Sequence, residues 1–387
     1  MNVLSSTRPL PLHGYTVVEL GHSLSAPYAG HILAHLGATV IKIESAGAGD
    51  HARSWGKVWC GDAAVMFHAI NCGKKSVVAD LRDPEVQDAL RRLIVDRADI
   101  VVQNLKAGGV ERAGRDAARL RAEKPSLVYC NISAFGQTGP LRDAPGYDPL
   151  VQAVSGMMSL VGRPDDPPIR VPVSVNDMGS GMWSVIGILA ACLEGKRTGV
   201  GATVDTSLYE TALAWITVQM TDFLNSGELP VRQGSANANI VPYQAFECAD
   251  GQMLIAAGND RLFRFLCDAV GLGALATDPR FAGNADRIRN KDQLIALLQE
   301  PIRRLPTDEL QRRLESLGVP SGPIRRIDEA AGTEQTAAVG ILGVTPEDGV
   351  RTVGFPLSFD AVRPPLAGRG PRLGEHNDIL GETMTCA

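Results

Sequence analysis

The chain of 387 residues lacks the usual markers of secreted, membrane-spanning and zinc-binding proteins. Its seven cysteines are scattered and none has CxxC spacing, which favours a reduced protein without a disulfide framework. The longest apolar run, residues 182–193, is too short to span a bilayer, and residues 1–12 do not have the pattern of a signal peptide. We therefore expect a cytoplasmic protein with no membrane partner.

Motifs that hold common cofactors and metals are also missing. There is no GxGxxG after the first predicted strand and no GxxxxGK[ST], HExxH, GxSxG or EF-hand loop, which disfavours the common nicotinamide, nucleoside-triphosphate and metallopeptidase classes. His31 and His35 have the i, i+4 spacing of a metal pair, but no glutamate accompanies them and their neighbours are apolar. We interpret them as structural histidines and predict no metal site.

Charge of either sign is not concentrated in any segment. The formal net charge is −5 and no run of Lys and Arg occurs, so no nucleic-acid partner is expected. The composition, 44% apolar and 21% charged, is that of an ordinary globular protein. The length corresponds to two domains, or to one large domain with an appendage.

The first half of the chain alternates between strand and helix patterns. Strands are predicted at 16–20, 39–43, 76–79, 99–102 and 126–130, with helices at 28–36, 83–98 and 110–124 between them. This alternation predicts an α/β fold with a mostly parallel sheet covered on both faces. Because such sheets bind ligands at the carboxyl ends of their strands, residues 22–25, 104–106 and 133–136 are expected near a binding site.

The second half changes character. Residues 147–221 have a helical pattern, and the polar residues 225–239 are typical of a linker or mobile loop. Two strand patterns at 243–247 and 252–257 flank Asp250-Gly251, which indicates a hairpin, and helices are predicted at 261–270, 291–304 and 307–317. This block is expected to form a smaller α+β domain.

One carboxylate stands in an unusual setting. Asp177 lies between an extended segment, 171–175, and the apolar helix pattern 182–193. An aspartate just before a helix is more often an N-cap, but backbone N–H groups and the helix dipole would also hold such a carboxylate ionised. The small residues Gly179, Ser180 and Gly181 would let an acyl group approach, and an ionised carboxylate can act as a covalent nucleophile. From the residues alone both roles stay open.

A series of stretches from near one end of the chain to the other resembles the family III CoA-transferases, the CaiB/BaiF family that includes formyl-CoA transferase and the carnitine CoA-transferases. The stretches match this family in order and spacing. They are LHGYTVVEL at 12–20, PYAG at 27–30, LGATVIKIE at 36–44, GD at 49–50, NCGKKS at 71–76, DIVVQN at 99–104, SAFGQTGP at 133–140, PGYD at 145–148, DPRF at 278–281 and PRLGEH at 371–376.

The resemblance implies an architecture that composition does not reveal. Members of this family have a Rossmann-like large domain with a parallel sheet and a smaller α+β domain, and two protomers form a homodimer of interlocked rings. Carried over to this chain, the large domain begins with 1–205, a linker follows at 206–228, and the small domain is 229–328. A return linker at 329–354 leads to a C-terminal segment, 355–387, that packs on the large domain.

The resemblance also implies a reaction. The family's nucleophilic aspartate corresponds to Asp177, whose carboxylate would attack an acyl-CoA thioester to give an aspartyl anhydride and then an aspartyl-CoA thioester. An acceptor acid then takes the CoA. Coenzyme A and acyl-CoA would be substrates, with carboxylic acids as the other partners and no permanently bound cofactor. Water must be excluded, because these intermediates hydrolyse.

Two sets of binding residues follow from the same resemblance. Polar side chains near the acyl group would suit a second carboxylate, as in a succinyl-CoA donor with a dicarboxylic acceptor. The expected substrate contacts are Gln137, Tyr147, Asp148 and Asn237. The expected CoA contacts are His22, Ser23, Ile70, Lys74, Asn104, Leu105 and Arg112.

The chain departs from the family pattern at three places. Ser45 replaces an arginine that many members carry after Ile-Glu, and Leu105 replaces a common phenylalanine that would stack better on adenine. Residues 234–239 take the place of a glycine-rich flap in formyl-CoA transferase. These differences bear on individual CoA contacts and on the acyl preference.

Two alternatives to the transferase were weighed. The α-methylacyl-CoA racemases share the fold but need a histidine where this chain has Tyr147, and no histidine is near it in the sequence. A tyrosine with a pKa of about 10 is a poor base at neutral pH, which disfavours a racemase. An inactive CoA-binding protein is the other alternative, and the intact Asp177 argues against it.

Overall fold

The computed structural model describes residues 9–345, 347 and 349–385, and these fall into two compact units. The first unit comprises Met1–Met158, Arg170–Glu228 and Gln335–Ala387. The second comprises Ser159–Ile169 and Leu229–Glu334. Each unit has a sheet and a hydrophobic core of its own.

The strands belong to four separate sheets. In chain order they are β1 Thr16–Leu20, β2 Thr39–Glu44, β3 Trp59–Cys60, β4 Ala63–Ala64, β5 Lys75–Val78, β6 Ile100–Gln103, β7 Val128–Ser133, β8 Thr203–Ser207, β9 Tyr243–Glu247, β10 Gln252–Ala256, β11 Ser321–Pro323, β12 Leu342–Val344 and β13 Arg351–Val353.

The helices range from single turns to one of 24 residues. They are α1 Ser25–His35, α2 Val65–Asn71, α3 Pro84–Arg97, α4 Gly109–Arg112, α5 Ala117–Glu123, α6 Asp148–Val154, α7 Val175–Thr198, α8 Leu208–Trp215, α9 Thr217–Ser226, α10 Asp260–Ala269, α11 Asn284–Arg289, α12 Lys291–Ile302, α13 Thr307–Ser316, α14 Ile327–Ala331, α15 Glu334–Val339 and α16 Asp378–Thr385. Short 3₁₀ turns lie at His51–Ser54, Met157–Leu160, Gly273–Thr277 and Pro279–Phe281.

The first unit is built on a six-stranded parallel sheet in the order β5-β2-β1-β6-β7-β8. This is the strand order of a doubly wound sheet, in which the direction of winding reverses between β1 and β6. The central strands are rich in Val and Ile and are buried on both faces, as parallel strands between helical layers must be. The loops after β1 and β6 therefore open into one crevice.

The helices of the first unit begin where the sequence offers caps. Asp83 accepts the N–H of Glu85 and Pro84 is the first residue of α3, a combination that favours helix initiation. The apolar side of α3 packs against the sheet and against α16. The predicted helix 110–124 is instead two short helices, α4 and α5, because Gly114 has a left-handed φ of 63° between them.

The C-terminal segment extends the edge of this sheet beside β5. The N–H of His376 donates to the carbonyl of Ser76, and the N–H of Val78 donates to Asn377 Oδ1. The N–H of Gly374 donates to Ser76 Oγ. Residues 370–377 thereby satisfy the exposed backbone groups of an edge strand.

The second unit has a three-stranded antiparallel sheet, β11-β10-β9, with the predicted hairpin at β9 and β10. One face packs on α10, α12 and α13 through a core that includes Phe246 and Phe263. Arg287 is fully buried beneath it, where its guanidinium donates to the carbonyls of Val241 and Phe281 and to Asp260. Residues 159–169 belong to this unit because Arg232 donates to three of their carbonyls.

Two expected linkers contain regular structure. Residues 206–228 end β8 and form α8 and α9 within the first unit. Residues 329–354 include α15 and the antiparallel pair β12–β13. The apolar pattern at 182–193 lies within α7, which among the described residues is the one helix long and apolar enough to cross a membrane by length and composition alone. A core helix passes the same test, and α7 packs against α1.

Candidate functional site

Two cavities open at the carboxyl ends of the strands of the first unit, and both are lined by His22. We call them the Asp177 cavity, of about 410 Å³, and the Ser45 cavity, of about 350 Å³. The Asp177 cavity is lined by His22, Ser23, Leu24, Ser25, Trp55, Met66, Asn104, Ile132, Ser133, Ala134, Gly146, Tyr147, Asp148, Pro149, Ser174, Asp177 and Leu208.

The loop after β1 is held in a constrained shape beside both cavities. Ser23 has a left-handed φ of 70°, which a residue with a Cβ seldom adopts, and its N–H donates to Asp50 Oδ1 at 2.9 Å. Asn104 fixes the same loop from β6: its Oδ1 accepts the N–H of His22, and its Nδ2 donates to the His22 carbonyl and to Ser25 Oγ. Both amide atoms of Asn104 are therefore engaged within the protein.

A buried network of charges lies beneath this loop. Lys42 Nζ is 2.8 Å from Glu19 Oε1 and 2.7 Å from Asp50 Oδ2, and all three side chains are inaccessible to water. Burial alone would lower the pKa of Lys42, but Glu19 and Asp50 outweigh it and raise the pKa. Asp50 thus connects its buried ion pair with Lys42 to the backbone of Ser23, which lines the Asp177 cavity.

Lys74 belongs to that network, which corrects its expected role as a CoA contact. Its Nζ donates to Glu19 Oε2, to the Pro27 carbonyl and to Asn71 Oδ1, all within 2.8 Å, so its three donors are used. The residue is 3% exposed and lines neither cavity. Burial lowers its pKa to about 8, although Glu19 opposes this.

The Ser45 cavity lies outside β1, β2 and β5. It is lined by Leu20, Gly21, His22, Ile43, Glu44, Ser45, Ala46, Gly49, Asp50, His51, Ala79, Asp80, Leu81, Arg82 and Leu105. Leu105 and Ser45, both departures from the family pattern, share this wall. Arg82 is largely exposed and pairs with Asp80.

Three further expected contacts lie elsewhere in the first unit. Ile70 is in α2, Arg112 ends the short helix α4 as an exposed side chain, and Gln137 is exposed in the loop after β7. None of them lines either cavity in the part of the chain that the structure describes. Their contacts with ligand remain predictions.

The helix that carries Asp177 begins earlier than the sequence indicates. α7 starts at Val175 with Ser174 as its N-cap residue, so Asp177 is the third residue of the helix and not a cap. The N–H groups of Asn176 and Asp177 donate to Asp148 Oδ2, at 2.6 and 3.2 Å. The expectation that these amides hold the Asp177 carboxylate is therefore wrong, because a second carboxylate takes them.

The pKa of Asp177 reflects this arrangement. Burial, and next the nearby Asp148 carboxylate, raise it from 3.8 to about 7. The sequence led us to expect that helix amides hold Asp177 ionised, whereas its pKa is raised.

The glycines near Asp177 serve helix packing. A Cβ on Gly179 would lie 2.7 Å from the Trp215 ring and 2.8 Å from Thr211, both on α8. A Cβ on Gly181 would lie 2.9 Å from the Ser25 carbonyl at the start of α1. The small residues let α7 approach both helices, which is a different role from the access for an acyl group that the sequence led us to expect.

The residue that distinguishes a racemase lies where the sequence indicated. Tyr147 is the N-cap residue of α6, is 60% exposed and lines the Asp177 cavity beside the buried Asp148. His22 also reaches this cavity from the loop after β1, although it is far from Tyr147 in the sequence. Burial lowers the pKa of His22, so its imidazole is mostly neutral at pH 7.

Asn237 belongs to the second unit, in the segment 234–239. Its N–H donates to the carbonyl of Tyr243, and its Oδ1 accepts the N–H of Asn239. A contact between Asn237 and substrate remains a prediction.

Several parts of the cavity had no signal in the sequence analysis. Trp55 and Met66 line it from segments outside the main sheet, and Leu208 lines it from the start of α8. Asp50 appeared only within the GD motif, which gave no hint of its bond to Ser23. His31 and His35 are buried in α1 with their rings 4.3 Å apart, in agreement with a structural role.

Matches to known proteins extend over nearly the whole chain. The model of the family described as CoA-transferase family III matches residues 12–377. The chain is 39% identical to a succinate–glutarate CoA-transferase of Agrobacterium fabrum, over 98% of this chain and 97% of that protein. It is 37% identical to an acetyl-CoA:oxalate CoA-transferase of Acetobacter aceti, over 96% of this chain and 95% of that protein. The solved structure of a CAIB/BAIF family protein from Brucella suis is 38% identical, with a TM-score of 0.87 over 97% of this chain and all of that one.

Proposed function

The chain belongs to the family III CoA-transferases, and on that premise we propose that it moves CoA from succinyl-CoA or a similar donor to a dicarboxylic acid through Asp177. The observation that carries the proposal is a half-buried carboxylate with a pKa near neutrality in a cavity of about 410 Å³ at the switch point of a doubly wound sheet.

The substrate class is supported by the named relatives. Besides the succinate–glutarate enzyme, a relative from Chloroflexus aurantiacus that is 34% identical is named a succinyl-CoA–D-citramalate CoA-transferase. Succinate, glutarate and citramalate are all dicarboxylates. Polar groups at Ser23, Ser133 and Tyr147 line the Asp177 cavity and can donate to a second carboxylate.

The proposed reaction proceeds by covalent catalysis without any net redox change. A carboxylate oxygen of Asp177 attacks the thioester carbonyl of the donor; a C–O bond forms, the C–S bond breaks, and the electron pair leaves on the CoA sulfur. The thiolate then attacks the Asp177 carbonyl of the anhydride, which forms aspartyl-CoA and releases the donor acid. The acceptor carboxylate attacks aspartyl-CoA, and the thiolate returns to the acceptor's carbonyl, freeing Asp177.

The CoA moiety is proposed to occupy the Ser45 cavity and to reach the Asp177 cavity past His22, which lines both. His22, Ser23, Asn104 and Leu105 line one or both cavities and remain the proposed contacts. Lys74 is replaced in this proposal by a supporting role beneath the loop, because its ammonium group is enclosed.

We also propose that the protein is a homodimer, of the interlocked type found in this family. One side of α7 exposes Trp183, Ile186 and Leu193, with Ile186 56% and Leu193 73% exposed, on a helix long enough to form a substantial contact. A second copy would cover them. Light scattering on the purified protein should give about twice the chain mass of 41.1 kDa, and a monomer at micromolar concentration would contradict this.

A reducing compartment such as the cytoplasm is the proposed location. Cys130 and Cys267 are buried free thiols, and burial raises the pKa of both, which makes them poorly reactive towards oxidation. Fractionation of cells that express the protein tests this, and recovery in an extracytoplasmic fraction would contradict it.

The decisive test is chemical trapping of Asp177. Wild type incubated with succinyl-CoA and glutarate should form glutaryl-CoA, and hydroxylamine should convert Asp177 to a hydroxamate detectable by peptide mass spectrometry. Asp177→Asn should lose both products, whereas Asp143→Asn, which removes an exposed carboxylate, should retain them. Transfer without any dependence on Asp177 would overturn the mechanism.

The same samples test the racemase alternative. A racemase would incorporate solvent deuterium at the α-carbon of a 2-methylacyl-CoA without an acceptor acid. We expect no incorporation, because Tyr147 stands where the catalytic histidine of those enzymes would be. Rapid deuterium uptake would favour the racemase.

A further inference from the structure

The start of α7 is capped by a residue from another helix. Its own N-cap residue, Ser174, makes no side-chain bond to the first turn. Instead Asp148, the first residue of α6, places Oδ2 2.6 Å from the N–H of Asn176 and 3.2 Å from that of Asp177. The amides that a helix-terminal carboxylate would ordinarily bind are therefore already engaged.

Asp148 is itself rigidly held. Its other oxygen, Oδ1, accepts a hydrogen bond from Gln152 Nε2 at 2.5 Å, one turn along α6. Gln152 Oε1 in turn accepts the N–H of Val171 at 2.8 Å, and its Nε2 also lies 3.2 Å from the Val171 carbonyl. Asp148 and Gln152 are 1% and 0% exposed, so the pair is a buried clamp and not a mobile substrate contact.

This arrangement leaves the Asp177 carboxylate without protein donors. Among the described residues, no hydrogen bond and no ion pair reaches its oxygens, although it is the third residue of a helix that ordinarily offers free amides at this end. Its lone pairs are therefore available to a substrate carbonyl. Its charge is also less stabilised than that of a capping carboxylate.

We propose that Asp148 is a positioning residue for Asp177: by taking the first amides of α7, it keeps the Asp177 carboxylate free and reactive. This inference rests on the proposed role of Asp177 as nucleophile. It differs from the sequence expectation that Asp148 contacts substrate, since both oxygens of Asp148 are used inside the protein.

The chemistry explains why such an arrangement accelerates the reaction. When Asp177 attacks the thioester, its negative charge is lost as the C–O bond forms, and the electron pair leaves on sulfur. Repulsion between Asp148 and Asp177 is thus present before the attack and relieved in the acylated intermediate. Destabilisation confined to the ground state raises kcat and leaves KM nearly unchanged.

Other titratable groups surround Asp177, but Asp148 supplies the nearby charge. After burial, the Asp148 carboxylate is the one group that raises the pKa of Asp177. His22 is mostly neutral at pH 7, because burial lowers its pKa. The titratable side chains on the surrounding elements are His22 in the loop after β1, Tyr28, His31 and His35 on α1, Tyr129 and Cys130 on β7, Tyr147 and Asp148 at α6, Asp205 on β8, and Tyr209 and Glu210 on α8.

The experiment compares Asp148→Asn with the matched control Asp143→Asn. Asparagine at 148 removes the charge and keeps an oxygen that can accept both amides, while its NH2 group faces Gln152 Nε2 in place of the oxygen that accepts there. We expect the acidic limb of the kcat profile to move down by about 1 pH unit and kcat at pH 8 to fall about tenfold, with KM within about twofold. Hydroxylamine trapping at Asp177 should slow in parallel, and Asp143→Asn should behave as wild type.

A second variant protects the test against misfolding. Gln152→Glu retains the shape of the side chain but places a further carboxylate against Asp148 Oδ1, so it should move the acidic limb of the kcat profile up, opposite to Asp148→Asn. Near-ultraviolet circular dichroism establishes which variants keep the native fold. A merely structural role for Asp148 would lower the melting temperature and leave the pH profile of the remaining activity unchanged.

The outcomes separate the two proposals. If Asp177→Asn is inactive but Asp148→Asn has the wild-type profile and kcat, the positioning role is wrong and the nucleophile stands. A large rise in the KM for the acid at constant kcat would also overturn the positioning role, because it would make Asp148 a substrate contact. If Asp177→Asn retains transfer, the proposed mechanism itself fails.

Discussion

Two groups of buried charges, one beneath the loop after β1 and one at the start of α7, are organised in opposite ways. Beneath the loop after β1, Lys42 and Lys74 alternate with Glu19 and Asp50, and each ammonium group contacts two or more oxygens. At the start of α7, Asp148 and Asp177 are two carboxylates with no cation paired to either in the described chain. The balanced group fixes the backbone of the loop at Ser23, whereas the pair of carboxylates leaves Asp177 with a pKa of about 7.

The two arrangements have different consequences within one unit: the first holds a strained backbone in place, and the second changes the protonation of a carboxylate. Opposite charges that are fully bonded hold the strained Ser23 in place through Asp50. Burial, and next the like charge of Asp148 without a counterion, raise the pKa of Asp177 to about 7, at a cost in stability. Catalytic carboxylates are expected to sit in the second kind of environment.

The largest expected effect comes from removing a cation from the balanced group of buried charges. Lys42→Met removes the cation between Glu19 and Asp50 and leaves two buried carboxylates facing each other. We expect a loss of about 3–5 kcal/mol in the free energy of unfolding, measured in urea. Arg82→Gln, which breaks the exposed pair with Asp80, is the control and should leave the midpoint unchanged. Similar midpoints for both variants would contradict the importance of the network.

Removing the charge of Asp177 should abolish the repulsion within the acidic pair and stabilise the protein. The folded pKa of Asp177, about 7, lies above its ordinary 3.8, so wild type loses stability as pH rises from about 4 to about 7. Asp177→Asn should therefore be more stable than wild type by about 2 kcal/mol at pH 8 and equal to it near pH 4, while inactive. Unfolding curves at the two pH values measure this. A stability gain that does not depend on pH would contradict the assigned cause.

The smallest expected effect concerns the backbone that the balanced group supports. Because Ser23 has a left-handed φ, Ser23→Gly should be about 1 kcal/mol more stable than Ser23→Ala, although both lose the bond between Oγ and His22. Ser25, in the first turn of α1, supplies the control, since there alanine should be the more stable replacement. Thermal melts of the four variants test the sign, and a more stable Ser23→Ala would show that the strain is absent.

Much of the fold could be predicted because the signals are local. The strands β1, β2, β5 and β6 are short Val- and Ile-rich segments between helix patterns, and the hairpin β9–β10 surrounds Asp250-Gly251. The end of α4 was missed because the break depends on the backbone of Gly114, which one glycine in a helical pattern does not reveal. The helices α8 and α9 lie within 206–228, where the resemblance led us to expect a linker.

The site was predicted in part for a related reason. The resemblance pointed to Asp177, but the partner of its helix amides, Asp148, is 28 residues from Asn176, and no local pattern joins them. Lys74 and Lys75 look alike in the sequence, and only the fold shows that Lys74 points into a closed cage of oxygens. Contacts between residues far apart in the sequence thus determine which charged side chains are enclosed beneath the site and which line it.

The walls of the Asp177 cavity come from separate stretches of the chain, and this has a consequence for how such an enzyme diversifies. Asp177, the proposed nucleophile, and Asp148 lie on α7 and α6, whereas Trp55 and Met66 enter the same cavity from residues 51–71. Exchanging either bulky side chain would alter the shape of the space beside Asp177 without disturbing the bonds between Asp148 and α7. The shape of the cavity and the arrangement at Asp177 are therefore encoded on different segments, so one can change while the other is preserved.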